Sequence, residues 1–166
     1  MTLFDLLHES HEVQRTLCRQ MTRAKGDAAR RELLFLQLQV ELKAHAAAEE
    51  RFLYVPLLMT DSGLMSSRHA LSEHHEIEEL CEKLSVKDKS GDGWMNTAKK
   101  LSEQVHHHLK EEEKKFFKVA GRILTDAQKT AQARRYAKDV VRMRKHYAEA
   151  FKTVAVDARG KVMASA

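Results

Sequence analysis

The 166-residue sequence has one proline, six glycines and only 6% aromatic residues. A β-sandwich or an α/β fold of this length would need more turn formers and more β-branched and aromatic residues, so the shortage of breakers predicts long helices. No apolar run approaches the ~18 residues of a membrane span. The N-terminus, MTLFDLLHESHE, lacks a basic stretch followed by an apolar one and is not expected to be a secretory signal. Two cysteines make no disulfide framework, and the expected location is the reducing cytoplasm. Regularly spaced leucines, valines and phenylalanines exclude disorder, and the length fits one domain.

The net charge of +5 is unevenly spread, since between Arg122 and Lys161 eleven Lys/Arg stand against four Asp/Glu. The basic excess therefore belongs to the C-terminal segment and not to the body. Apolar residues recur at threes and fours over 3–24, along Leu34, Leu38, Leu42 and Ala46 in 28–54, and through Leu71, Ile77, Leu80 and Leu84. Pro56 and Thr60-Asp-Ser-Gly63 predict a loop, with the third helix starting near Ser66 or Ser67. Ser90-Gly-Asp-Gly93 predicts the next turn, and a fourth helix follows over 94–119 with Gly121 as its stop. Thr125-Asp-Ala-Gln128 is a capping box that opens a fifth, basic helix. Four helices with short connections predict an all-α, up-down-up-down four-helix bundle over residues 1–122. The basic helix, 123–152, would pack on it, and 153–166 would be a flexible tail.

Ten histidines are many for this length, and they are not scattered. The chain repeats itself with a period of 63 residues: His11 falls on His74, Leu17-Cys18 on Leu80-Cys81, His45 on His108, Glu49-Glu50 on Glu112-Glu113, and Tyr54 on Phe117. Elsewhere the halves hardly match, so identity is concentrated on residues able to bind a metal. His45/Glu49 and His108/Glu112 are both H-x-x-x-E, and four residues along a helix put both side chains on one face, about 6 Å apart in rise. His11 and His74 add one imidazole from each of the other two helices. Four imidazoles and two carboxylates in an apolar core would be costly without a cation. The count exceeds one tetrahedral zinc, and two metals bridged by the carboxylates fit it better. Imidazole with carboxylate suits iron, and to a lesser degree manganese or zinc. A ferritin-like site would need two E-x-x-H motifs, and only Glu103-x-x-His106 is present.

With this pattern, H…HxxxE…H…HxxxE, and with ESHEVQR, ELKAHAAAEERFLYVPL, EHHEIEEL and HHHLKEEEKKFF around it, the sequence resembles the hemerythrin-like HHE cation-binding family, in its bacterial branch, over about residues 3–120. The resemblance implies a non-haem di-iron centre with His11, His45, His74 and His108 as terminal ligands, Glu49 and Glu112 as bridges, and an open position for dioxygen, nitric oxide or peroxide. One departure stands out: the oxygen-carrying members have a fifth histidine where this chain has Ala70. His69 is its neighbour, and His69 or Glu73 is a candidate for an extra ligand.

The remaining histidines, His8, His75, His106, His107 and His146, read as ordinary surface or core residues. Cys18 and Cys81 follow His11 and His74 by seven residues and share their faces; they read as small buried hydrophobes or as a thiol pair sensing oxidation. Helices one and three lie diagonally in the bundle, which predicts free thiols too far apart to bond. The basic helix reads as a docking or solvated face, and less readily as a nucleic-acid reader. The expected function is binding of, or reaction with, a small oxidant in sensing or stress defence. The alternative is a di-iron enzyme that decomposes peroxide or donates iron for metal-cluster repair; a metal-free helical partner of nucleic acid is the third class.

Overall fold

Four of the five long helices start where a side chain caps them; the one that begins at Asp92 follows Gly91 without such a cap. In the computed structural model, which describes residues 1–164, Thr2 and Thr125 form capping boxes with Asp5 and Gln128, and the side chains of Asp27 and Thr60 accept from the backbone N–H of Arg30 and Gly63. The helices are α1 (Leu3–Arg23), α2 (Ala28–Glu49), α3 (Val55–Leu58), α4 (Asp61–Leu84), α5 (Asp92–Glu111), α6 (Phe117–Ile123) and α7 (Asp126–Ala150). Two π-helical turns, Glu50–Tyr54 and Glu112–Phe116, join α2 to α3 and α5 to α6, so the chain forms four bundle rods and a fifth helix. Among the described residues there is no strand, only one isolated bridge between Val156 and Val162.

Three local expectations are corrected. Helix α4 begins at Asp61 and not near Ser66, because Thr60 caps it and Gly63 lets the first turn close on α3: a Cβ at Gly63 would lie 2.6 Å from the Leu57 carbonyl oxygen. Pro56 does not end its rod, because it stands in the first turn after the π turn, where a missing N–H is tolerated. Gly121 is not a stop, since α6 runs on to Ile123 with Ala120 buried beneath it; a helical glycine costs only about 1 kcal/mol.

Helix α1 packs on α2 and α5, and α4 packs on α5, while α7 lies along α2 and against α1. Two apolar clusters fill the bundle. One holds Val13, Leu17, Leu38, Leu42, Ile77 and Leu101; the other holds Leu3, Leu7, Ala44, Ala48, Tyr54 and Phe116 together with Ala133, Tyr136, Val140 and Met143 of α7. Between them runs a polar layer. Helix α7 is clamped there by a buried ion pair, in which Arg144 donates two hydrogen bonds to Glu41 (2.8 and 2.6 Å) and Ser10 donates a third. The segment expected to be flexible turns back at Asp157–Lys161, and its Val156 is buried in the first cluster. Residues 165–166 of that tail lie outside the described part.

Candidate metal centre

The polar layer is built by spacing. His45 and Glu49 leave one face of α2, and His108 of α5 is followed one turn later by Glu112 at the start of the second π turn. His11 enters from α1 and His74 from α4. All six sequence candidates meet. His11 Nε2 lies 3.2 Å from Glu112 Oε2, His45 Nε2 3.2 Å from Glu49 Oε2, and His74 Nε2 3.5 Å from that same Glu49 oxygen. His108 Nε2 is 3.1 Å from His74 Nε2 and 3.9 Å from Glu112 Oε2. The atoms fall into two overlapping groups able to hold an ion: His11, His45, Glu49 and Glu112 in one, Glu49, His74 and His108 in the other. Glu49 belongs to both.

Every imidazole presents Nε2 to the centre, because its Nδ1 is held from outside. His11 Nδ1 bonds Glu113 (2.7 Å), His74 Nδ1 bonds Glu50 (2.9 Å), His108 Nδ1 bonds Glu73 (2.8 Å) and His45 Nδ1 bonds the Tyr136 hydroxyl (3.0 Å). Such outer partners fix the tautomer and the ring orientation. Two of them obey the internal repeat, since Glu50 and Glu113 are 63 residues apart and support repeat-related histidines. The other two do not. The position equivalent to Glu73 is Ser10, which carries no carboxylate, and α7 supplies Tyr136 to His45 instead. Tyr54 donates a hydrogen bond to Glu112, while its repeat partner Phe117 stacks on His11.

The charge balance of the layer shows what it is shaped for. His11 Nε2, His45 Nε2, both oxygens of Glu49 and Glu112 Oε2 are buried without a hydrogen-bond partner among the described residues; the 3.2 Å approaches bring them together without aligning a donor on an acceptor. Leaving so many ligand atoms unpaired is expensive. Without a cation, protons do what they can. Burial pushes the His11 and His74 imidazoliums down, but the carboxylates around them outweigh it and hold both up at about 9. Burial takes His108 down to about 4. The buried Glu49 is nonetheless held well below the usual carboxylate range by His45 and His74, whereas burial and the Glu49 charge push Glu112 well above it. Cations at this point satisfy all of these atoms at once, and the donor set, imidazole and carboxylate, is that of iron, zinc or manganese.

Two cavities reach the layer. One of about 360 Å³ lies in the α2–α4 seam; it borders Lys43, His45, His74, Cys81, His108 and Gln14, whose buried amide nitrogen has no partner. The other, of about 250 Å³, borders Ala70, Glu73, His108 and Glu112 and opens past His69 and Glu111. His69 points away from the centre: its ring is 61% exposed and meets Glu111 at 3.2 Å. Glu73 turns one oxygen to the back of His108 and is not among the inward groups. Cys18 and Cys81 are free and buried, and both thiols are pushed up to about 12 by burial.

Of the supporting residues, Glu50 and Glu113 were visible in the sequence as the second members of the repeated Glu-Glu pairs. Glu73 was visible only as an alternative ligand. Nothing in a single sequence marks Tyr136 or the Glu41–Arg144 pair, because each depends on where α7 docks.

Fold and site together define a helical-bundle protein with a histidine–glutamate cation centre. The chain belongs to the hemerythrin HHE cation binding domain family, whose model matches residues 2–120. Among solved structures it is similar to a hemerythrin HHE cation binding domain-containing protein from Mycobacterium kansasii, at 21% identity and a TM-score of 0.81, with 92% of this chain and 93% of that chain covered. That likeness extends the shared fold beyond the bundle to the C-terminal helix. No curated protein matches the chain.

Proposed function

We propose that the layer holds a non-haem di-iron centre, with His11 and His45 on one iron, His74 and His108 on the other and Glu49 and Glu112 bridging, and that it binds or reacts with a small oxidant: dioxygen, nitric oxide or peroxide. The observation that carries this reading is the set of five buried, unpartnered ligand atoms converging from three rods, with His74 reaching the same layer from the fourth. Manganese or zinc would satisfy the same donors. A pair of irons there supplies a redox centre that small oxidants can reach. The chain's own residues then do three things. Glu113, Tyr136, Glu50 and Glu73 aim the imidazoles, Tyr54 orients Glu112, and the two apolar clusters keep bulk water out. The seam cavity admits a small molecule and offers it the Gln14 amide as a donor.

Carriage or sensing in the cytoplasm is the first reading within this class. Turnover of peroxide, or donation of iron for cluster repair, is the second, and it is favoured by Ala70, where a fifth imidazole would otherwise close a position beside His108. A nucleic-acid role for α7 gains little, because Arg144 is committed to Glu41 and Arg142 and Arg51 share Asp139. Metal analysis after gentle aerobic purification tests the reading directly. About two irons per chain support it, and a metal-free, folded protein that takes up none refutes it. Stopped-flow mixing with dioxygen and with peroxide then separates the classes, reversible spectra meaning carrier or sensor and turnover meaning enzyme.

A further inference from the structure

The open face of the α4–α5 hairpin gathers a second set of ligand atoms outside the buried layer. His69 and His107, 61% and 65% exposed, bring their Nε2 atoms to two carboxylates. His69 Nε2 lies 3.2 Å from Glu111 Oε2 and 3.7 Å from Glu73 Oε1. His107 Nε2 lies 3.5 Å from Glu111 Oε2 and 3.7 Å from Glu73 Oε1. Bonds of 2.0–2.1 Å to a tetrahedral cation put neighbouring ligand atoms about 3.3 Å apart, and these four separations approach that length. His69, Glu73 and Glu111 form the compact set able to hold an ion, and His107 lies within 3.7 Å of both carboxylates as a fourth donor. Lys115 takes the other oxygen of Glu111 and leaves Oε2 to the imidazoles.

Two further observations separate this cluster from an ordinary polar surface. It breaks the internal repeat: the positions 63 residues before His69, Glu73, His107 and Glu111 are Leu6, Ser10, Ala44 and Ala48, none a strong ligand, and Ala44 and Ala48 are fully covered. The equivalent face of the other hairpin is thus closed by α7, while this one is left open and armed. The cluster also stands over the cavity that runs past Ala70 to His108 and Glu112. Glu73 spans the two levels, with Oε1 toward the outer imidazoles and Oε2 accepting from His108 Nδ1.

We propose that His69, Glu73, His107 and Glu111 form a peripheral divalent-cation site at the mouth of the Ala70 cavity, and that iron is loaded into the buried centre through it. Two imidazoles and two carboxylates select a borderline divalent ion such as Fe(II), Co(II) or Zn(II) over magnesium or calcium. Exposure of both histidines keeps the ion exchangeable, as a transfer site requires. The site rests on its own geometry; its loading role rests on reading the buried layer as a di-iron centre.

The test uses the full-length protein with its inner centre filled with iron. Titrated with Co(II), it should take up one further equivalent with the intense visible bands of a tetrahedral ion. The His69→Ala/His107→Ala double variant, altered only at exposed positions, should keep two irons and bind that Co(II) at least about tenfold more weakly. Fe(II) uptake by the metal-free double variant should be several-fold slower than by the parent and should end at the same content. No extra Co(II) in the parent, or equal affinity in the variant, overturns the site. Equal uptake rates overturn the loading role. A parent that never holds two irons but still binds Co(II) on this face refutes the di-iron reading, and the loading role with it, while the peripheral site stands.

Discussion

The two hairpins, α1–α2 and α4–α5, carry the same inward residues and opposite surroundings. Around α1–α2 the histidines are backed by Glu113, itself bonded to Arg15, and by a phenol from a separate helix; α7 seals the face. Around α4–α5 both backing groups are carboxylates of the bundle itself, and the face is open to water. An internal repeat therefore fixes the inward candidate ligands, while the support around them has diverged. One half is stabilised by docking of another helix, and the other stays accessible.

The largest expected effect falls on what the halves share. If the layer holds two irons bridged by both carboxylates, as proposed, Glu49→Ala or Glu112→Ala should abolish the paired site; iron analysis should show one or none per chain, and two irons in either variant would falsify the bridging roles. Next comes the sealed half. Arg144→Met strands the buried Glu41 carboxylate and should cost about 3–5 kcal/mol in denaturant unfolding at pH 7. Lys43→Met, which breaks the exposed Lys43–Glu78 pair, should cost ~1 kcal/mol or less. Equal losses would mean that α7 does not clamp the fold. Tyr136→Phe removes the hydroxyl that partners His45 Nδ1 and should weaken metal affinity about 10–100-fold in a chelator competition, while leaving the fold intact.

Removing the metal gives a smaller and pH-dependent effect. The metal-free protein should melt lower, and its stability should depend on proton binding by His11 and His74. Their folded values of about 9 lie above the ordinary 6.5, so the contribution is complete below 6.5 and lost as pH rises through 9. The melting temperature of the apo-protein should fall over that range while that of the metal-loaded protein changes less; parallel curves would count against the exchange of protons for metal. The smallest difference concerns the thiols. Both should alkylate slowly in the folded state, since the thiolate is the reactive form, with Cys81, which borders the seam cavity, ahead of Cys18. Fast labelling of Cys18 would show that its half of the core is open.

How much of this the sequence discloses depends on the range of the interaction. The six inward residues are legible because H-x-x-x-E is a local pattern and the repeat selects His108 from three adjacent histidines. The bundle follows from periodicity. The start of α4 is not legible because Thr-Asp-Ser-Gly serves equally as a loop and as a capped first turn, and only contact with α3 decides. Spacing already turns His69 off the face of His74, since five residues rotate a helix by about 500°, whereas Tyr136 and Arg144 carry no local signature at all.

The π turns have a consequence for phase. Each adds one residue to its rod and so turns everything downstream by about 100° relative to an unbroken helix. Glu49 and Tyr54, five residues apart, can then both face the interior, a spacing that in a plain α-helix would send the second well off the first one's face. The rods are in effect read in two frames, one up to the metal glutamate and another after it. Deleting a single residue between Glu50 and Leu53 would remove the extra residue, so that Tyr54 would follow Glu49 by four residues on an unbroken α-helix and both Tyr54 and Leu57 would keep their faces. Each rod should thus tolerate the loss of one residue best in the few positions after its glutamate.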